Sequence, residues 1–344
     1  MEKAKITTIN EIGEFGLIDY LTKNIQLRHK QTIKGVGDDA AVIKPSTKQI
    51  VVTTDMLTEG IHFDLIYVPL KHLGYKAVVA NMSDVYAMNA TPKQITVSIA
   101  FSSKFSLEAI DLIYQGIYLA CEKYNVDLIG GDTTSSLTGL TISITAIGEV
   151  DKDKITYRNT AELNNVICVT GDLGSAFLGL QLLEREKLVF QANPNAKPQF
   201  EGHDYILERQ LKPEARKDVI EYLATNKIVP TSMIDISDGL SSEIIHICTQ
   251  SGVGCKLYED KIPFNPTAAN MAAELNMDPT TCTLNGGEDY ELLFTLTLED
   301  YAIIKNDPNI TAIGHITEAH TGNLLIARDG TEIPLKAQGW GSKE

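Results

Sequence analysis

Residues 106–132, SLEAIDLIYQGIYLACEKYNVDLIGGD, place a helix, a strand and a glycine pair ending in a carboxylate in immediate succession. Residues 106–124 have a helical pattern, and 126–129 then read as a short strand running into Gly130-Gly131-Asp132. Further towards the N-terminus, 94–101 alternates like a strand. Residues 72–88 are helical and apolar on most sides, which predicts a buried helix. Before them lie two β-prone runs, 40–43 and the β-branched 50–54, and a helix over 11–28 with apolar positions at Ile12, Phe15, Leu17, Ile18, Leu21 and Ile25. In the other direction, 140–150 is a further strand. The first half therefore reads α-β-β-α-β-α-β-β, an α/β mixture around one sheet.

A polar stretch, 151–165, separates this half from the next. After it come a strand at 166–170, a glycine turn and a helix over 175–183. Residues 186–204 lack periodicity and contain Pro194 and Pro198, so they read as an irregular insertion. Pro213 suits the first turn of a helix through 223. Strands are expected at 233–236, 254–258, 291–297 and 311–316, with a helix at 239–250. Two α/β domains follow, 1–152 and 153–344.

The chain has 344 residues and a net charge of −15, which excludes a nucleic-acid groove built from clustered Lys and Arg. Its five cysteines are an odd number without a C-x-x-C pair, so neither a disulfide framework nor a zinc site is expected. No basic and apolar leader opens the sequence, and no stretch approaches the roughly 18 apolar residues of a membrane span. The expectation is a cytoplasmic protein with no membrane partner.

Six short acidic segments carry the chemistry: Gly37-Asp38-Asp39, Thr53-Thr54-Asp55, Asn81-Met82-Ser83-Asp84, Gly130-Gly131-Asp132, Asp235-Ile236-Ser237-Asp238-Gly239 and Gly286-Gly287-Glu288-Asp289. Gathered carboxylates repel, and hard divalent cations relieve that cost. Magnesium prefers carboxylate, hydroxyl and phosphate oxygens. The segments therefore point to a site with several magnesium ions that holds phosphates, which also reconciles an acidic protein with a polyanionic ligand. Singly, each has an ordinary reading. Asp55, expected at the end of its β-branched run, either starts a turn or exposes a ligand at the rim of a sheet. Asp84, on an apolar helix with Asn81 three residues earlier on the same face, is either an ion-pair or capping residue or a ligand. Asp238 would serve equally as a helix N-cap, and each glycine pair either forms a tight turn or lets a phosphate approach the backbone. The Walker phosphate loop, the protein-kinase motifs, the nucleophile elbow and H-E-x-x-H are all missing.

In this order, GVGDDAAVI (35–43), TTDMLTEGIHF (53–63), ANMSDVYAM (80–88), IGGDT (129–133), IDISDGL (234–240) and GGEDYEL (286–292) resemble the thiamine-monophosphate kinase family, within the aminoimidazole ribonucleotide synthetase-like superfamily. The motifs span nearly the whole chain. The resemblance implies a two-domain fold, an N-terminal sheet domain that binds ATP and magnesium and pairs with a second subunit in a homodimer, plus a C-terminal α/β domain. It implies ATP-dependent phosphorylation of thiamine monophosphate to thiamine diphosphate, a step of thiamine biosynthesis. Carried over by motif, Asp39, Thr53, Thr54, Asp55, Asp84, Asp132, Asp235 and Asp238 would hold magnesium, with Asp55, Asp84 and Asp235 as the catalytic residues. Gly131, Asp132, Arg158 and Ser237 would face ATP. His62, Glu288 and Trp340, the lone tryptophan, would contact thiamine monophosphate. Two departures from the family pattern concern the ATP side: Ser175-Ala176 follows the 171–174 turn, and Asn-Thr-Ala follows Arg158.

The acceptor would be a phosphate oxygen already ionised at neutral pH. Positioning and charge neutralisation then dominate, and direct in-line transfer without a phosphoenzyme is expected. Two alternatives remain at this point: another ATP-using enzyme of the superfamily, such as aminoimidazole ribonucleotide synthetase, or a non-catalytic magnesium–nucleotide binder.

Overall fold

The computed structural model describes residues 9–36 and 40–337. They form two compact units, 9–85 with 90–152 and 86–89 with 153–337.

In the first unit, α1 (Ile9–Thr22) is followed by the two-stranded pair β1 (Thr32–Lys34) and β2 (Val42–Ile43). Then come β3 (Gln49–Thr58), α2 (Leu70–Ala87), β4 (Thr91–Phe101), α3 (Leu107–Tyr124), β5 (Asp127–Ser135) and β6 (Thr141–Val150). The main sheet has four strands in the order β3-β6-β4-β5, with only β4 and β5 parallel among them. One sheet face carries Ile142, Ile144 and Ala146 of β6 and Ile95, Val97 and Ile99 of β4, all buried. The core also takes Val78, Val79, Met82 and Val85 of α2 and Ile110, Ile113 and Ile117 of α3. Ser106 starts α3 by accepting the Ala109 N–H, and Asn125 ends it in the left-handed region at φ 55°.

Helices α2 and α3 touch through backbone. A Cβ on Gly116 would lie 1.9 Å from the Lys71 carbonyl oxygen, and one on Gly74 would lie 1.9 Å from that of Ile113. Gly116→Ala must therefore push α3 off α2, with an expected loss of about 1–3 kcal/mol. Thermal denaturation checks this; an unchanged Tm would contradict the close approach.

Three expectations are corrected here. The first helix stops at Thr22, well short of residue 28. Beyond it the buried Asp127 carboxylate takes the N–H groups of Arg28 and His29 and, at 2.7 Å, the Thr32 hydroxyl, so the chain is pinned to the sheet instead of continuing its helix. Asp55 does not end its strand: β3 runs on to Thr58 because every residue from Gln49 pairs with β6. Gly130-Gly131-Asp132 is not a turn but the middle of β5, paired in parallel with Thr96, Val97 and Ser98.

The second unit contains β7 (Val166–Thr170), α4 (Ser175–Ala192), α5 (Asp204–Leu211), α6 (Lys217–Thr225), β8 (Ser232–Ile236), α7 (Leu240–Ser251) and β9 (Gly254–Tyr258). It continues with α8 (Pro266–Glu274), α9 (Pro279–Asn285), β10 (Glu291–Leu296), α10 (Leu298–Ile304), β11 (Ile310–Thr317), β12 (Asn323–Ile326) and β13 (Glu332–Pro334). Its seven-stranded sheet has the order β13-β12-β9-β11-β7-β10-β8. One core packs α7 on this sheet through Leu240, Ile244 and Ile247, and a second joins α4, α5 and α8 through Leu178, Leu182, Ile206 and Met271. Helix α4 extends to Ala192, well into the stretch expected to be irregular, and α6 starts at Lys217, leaving Pro213 in the α5–α6 connection. All five cysteines are free and buried. Among the described residues, no helix is long and apolar enough to cross a membrane.

Candidate active site

In the first unit the site is built on the pleat of β3. Successive side chains alternate between faces, so Thr53 and Asp55 turn towards α2 while Thr54 turns away. Asp84, in the last turns of α2, meets them: the Thr53 hydroxyl donates to Asp84 Oδ2 at 2.5 Å. Asp55 is half-buried beside it. Burial first, then the charge of Asp84 and a hydrogen bond with it, push the Asp55 carboxyl up to about 7. The Asp55 carboxyl thus keeps its proton up to near neutrality, because ionising it in a buried place beside Asp84 is costly without a counter-charge. This is the donor set a hard divalent cation fits: two carboxylates and a hydroxyl, all oxygen.

Thr54 does not join them through its side chain. On the opposite face, its hydroxyl donates to the Ile144 carbonyl at 3.1 Å and accepts from the Thr145 hydroxyl at 3.1 Å. Asp132 is also elsewhere. The register aligns Asp55, Ile144, Val97 and Gly131 in one row and Met56, Ser143, Ser98 and Asp132 in the next. Asp132 therefore stands on the face opposite Asp55, three strands away, a span of about 14 Å at the usual strand spacing. Gly131 has a local reason to be glycine: a Cβ there would lie 1.8 Å from the Val97 carbonyl oxygen. His62 is exposed in the turn after β3, its Nδ1 accepting the Thr58 N–H at 3.1 Å. Asn81 is buried, and its amide donates one turn back to the Ala77 carbonyl at 3.1 Å.

In the second unit Asp235 is buried in β8, opposite Leu292 of β10, and Ser237 and Asp238 are exposed in the loop that follows. Asp238 does not cap α7; Gly239 occupies the N-cap without a side-chain bond. The loop's donors go instead to Glu243 Oε1, which accepts from Asp238 N–H at 2.9 Å and from Ser237 N–H and hydroxyl at 3.3 and 3.4 Å. Burial, with the charges of Asp238 and Asp235 also acting, pushes the Glu243 carboxyl up to about 8. Arg158 is exposed in this unit, with no side-chain hydrogen bond or ion pair among the described residues; its carbonyl accepts from the Ser251 hydroxyl at 3.3 Å.

The 286–290 connection leads into β10 with two non-glycine residues in the left-handed region, Glu288 at φ 64° and Tyr290 at φ 52°. Their amides are stapled to the end of β8, Glu288 N–H to the Ser237 carbonyl at 2.7 Å and Tyr290 N–H to that of Ile236 at 2.9 Å. Gly287 fits beneath because a Cβ would lie 2.4 Å from the Ser237 carbonyl oxygen. Between the two strained residues, buried Asp289 accepts the Gly174 N–H at 2.7 Å and the Ala176 N–H at 3.3 Å.

Behind this loop lies a network that the sequence reading missed. Arg209 Nη1 meets Glu291 Oε1 at 2.9 Å, and its Nη2 lies 3.7 Å from Asp289 and donates to the Asp172 carbonyl at 3.0 Å. Glu291 Oε2 accepts from Arg216 at 2.6 Å and from the Thr170 hydroxyl at 2.5 Å. Gln210, next to Arg209 in α5, donates to Glu288 Oε2 at 2.8 Å.

Among the described residues, no three His, Cys, Asp or Glu side chains gather closely enough to hold one metal ion. The expected magnesium ligands fall into the Asp55–Asp84 pair with Thr53, the Asp235–Asp238 loop, and Asp132 apart. Asp39 and Trp340 lie outside the described residues.

Comparison with known proteins gives a consistent picture. Residues 37–150 match the family described as AIR synthase related protein, N-terminal domain. The chain is 32% identical to the thiamine-monophosphate kinase of Bacillus subtilis (strain 168) over 335 residues, 96% of this chain and 99% of the relative. It is 30% identical to that of Escherichia coli (strain K12) over 344 residues, 95% and 97% of the two chains. Of solved structures, AaThiL complexed with AMPPCP and TMP superposes with a TM-score of 0.74 at 30% identity, covering 99% of each chain. Thiamine-monophosphate kinase from Stenotrophomonas maltophilia K279a does so with a TM-score of 0.78 at 29% identity, covering 94% of this chain and 98% of that one. The hydrogenase maturation protein HypE in complex with ATP, at 19% identity and a TM-score of 0.74, shares the fold.

Proposed function

The chain belongs to the thiamine-monophosphate kinase family, and from that premise we propose that it transfers the γ-phosphoryl group of ATP to thiamine monophosphate, giving thiamine diphosphate and ADP. The observation that carries the chemistry is the Asp55–Asp84 pair, two neighbouring carboxyl groups with the Thr53 hydroxyl bonded to one of them. Magnesium held there would neutralise phosphate oxygens and bring two polyanions together. Asp55 and Asp84 supply its carboxylate oxygens, and the Thr53 hydroxyl fixes the Asp84 carboxylate in place. Thr54, whose side chain is turned away, would contribute through its backbone. Asp39, Asp132, Asp235 and Asp238 are proposed as ligands of further magnesium ions, Asp132 on the sheet face opposite Asp55.

Gly131, Asp132, Arg158 and Ser237 are assigned to ATP. The Arg158 guanidinium suits a polyphosphate, and Glu243 presents the Ser237–Asp238 loop by holding its N–H groups. His62, Glu288 and Trp340 are assigned to thiamine monophosphate, and residues 1–152 form the nucleotide-binding domain. The acceptor oxygen is ionised before it arrives, so the residues need only bind, orient and exclude water. Transfer is direct and in line, and no side chain is phosphorylated.

The open face of the four-stranded sheet supports a homodimer. Ile50, Val52 and Met56 on β3 are 53%, 62% and 57% exposed, an apolar strip that a second copy of this sheet would cover. A monomer at micromolar concentration in analytical ultracentrifugation would contradict that arrangement.

The activity is tested by incubating the protein with thiamine monophosphate, ATP and magnesium and separating the products. Thiamine diphosphate is expected, none of it in EDTA and none from free thiamine. ATP binding without any product would move the assignment to another branch of the superfamily.

A further inference from the structure

We propose that Glu243 of α7 positions a magnesium ion at the 235–238 loop, its Oε2 accepting a hydrogen bond from a water that the ion carries. The inference rests on the assignment of Asp235 and Asp238 to magnesium. Glu243 lies in the first turn of α7 and is 2% exposed. Its two oxygens have different surroundings. Oε1 holds the loop, accepting the Asp238 N–H at 2.9 Å and the N–H and hydroxyl of Ser237 at 3.3 and 3.4 Å. Oε2 is buried and has no hydrogen-bond partner among the described residues.

Holding the loop does not by itself call for a glutamate. A glutamine would offer the same N–H groups an acceptor and turn two donors towards the acids nearby. Those acids are Asp238 and Asp235, whose charges both act on the Glu243 carboxyl. A third acid placed beside two others, with one buried oxygen left unanswered, is the costlier choice in the metal-free chain. A cation removes that cost. Magnesium gives up its waters reluctantly and is bound through one or two carboxylates, so waters remain on it and need acceptors of their own. Asp235 and Asp238 would supply the carboxylates, and Glu243 Oε2 takes a water, the way outer partners of metal sites act. Among the described residues no three acids come close enough to hold one ion directly, which fits a Glu243 that reaches the ion through water.

The test titrates metal-free wild-type protein, Glu243→Gln, Glu243→Met and Asp238→Asn with manganese in place of magnesium, reading the free ion by electron paramagnetic resonance. Tm in EDTA is measured alongside. Glu243→Gln keeps an acceptor for the loop and puts a donor where the metal-bound water must donate. One class of manganese sites should weaken about ten- to a hundredfold, with Tm in EDTA no lower than the wild type's. Glu243→Met removes both oxygens and should weaken the same class while also lowering Tm. If Glu243→Gln binds manganese like the wild type while Asp238→Asn does not, Glu243 only holds the loop: the proposal falls and the assignment of Asp238 stands. If Glu243→Gln lowers Tm in EDTA as far as Glu243→Met does and weakens every manganese site, the role is structural and the proposal falls. If Asp238→Asn also leaves the titration unchanged, the loop is not a magnesium site, and that assignment falls and takes the proposal with it.

Discussion

Asp84→Asn is expected to lower kcat by about a hundred- to a thousandfold, the scale on which a preorganised charge at a reacting centre acts, without weakening the metal-free fold. The two halves of this expectation have one cause. In the metal-free protein, Asp55 and Asp84 crowd two carboxyl groups together, and the Asp55 carboxyl is pushed from 3.8 to about 7, mainly by burial and then by Asp84. An acid whose folded pKa is raised holds its proton in the native state while the unfolded chain has released it. Its contribution to stability is therefore greatest below pH about 4 and is lost as pH rises through about 7. Asparagine at position 84 removes the like charge, so in EDTA the variant should lose less Tm than the wild type between pH 5 and pH 8. Magnesium should reverse the order: it raises the wild-type Tm at pH 8, where the pair is ionised, and does little for the variant. Asp55→Asn should behave in the same way. Near-normal kcat in both variants, or a magnesium-induced Tm shift equal to the wild type's, would remove the pair from the site.

How far the site was legible in the sequence depends on whether the deciding contact is local. Asp84 could be placed because the apolar positions of α2 around it make a helical pattern, and a carboxylate on such a face asks for a partner. The strand that supplies this partner was cut short: the β-branched run ends at Thr54, and only pairing of Asp55 to Thr58 with β6 shows that the strand continues. Alternation along that same strand separates the side chains of Thr53 and Asp55 from that of Thr54, a division that grouping the three as magnesium ligands leaves open. Gly130-Gly131 reads as a turn, yet the chain there stays extended against β4, and the need for glycine comes from a neighbour over thirty residues earlier, Val97. Helix α5 was invisible for a different reason. Its eight residues, DYILERQL, bury only Ile206 and Gln210, so there is no apolar stripe to find. What stabilises such a short helix is its tertiary packing on α4, not its own propensity. The residues that hold the 286–290 loop, Arg209 and Gln210, were lost with it.

Arg209→Met should destabilise the protein by about 3–5 kcal/mol, the usual penalty for removing one partner of a buried ion pair. Arg209 is 14% exposed at its side chain, and Glu291 and Asp289 opposite it are 2% and 0% exposed. Methionine fills the space and leaves both carboxylates behind. Glu291 keeps Arg216 at 2.6 Å and the Thr170 hydroxyl at 2.5 Å, so its charge remains answered. Among the described residues, Asp289 keeps the N–H groups of Gly174 and Ala176. In the wild type, burial already pushes the Asp289 carboxyl up to about 7 against the opposing pull of Arg209 and the Gly174 N–H. Without the guanidinium it rises further. A raised carboxyl costs stability as pH climbs towards its folded pKa, so the wild type stops paying near pH 7 while the variant goes on losing. The Tm gap between the two should therefore widen from pH 6 to pH 8.5, and Asp289→Asn placed on top of Arg209→Met should narrow it at high pH. The fold depends on this charge at a specific point: Asp289 sits between Glu288 and Tyr290, both in left-handed conformations that cost about 1 kcal/mol or more each. Releasing Asp289 from the 174–176 turn lets that strain relax, and Glu288 moves with it. A pH-independent Tm difference, or a loss below 1 kcal/mol, would show that Asp289 is held by its backbone donors alone and that Arg209 serves only Glu291.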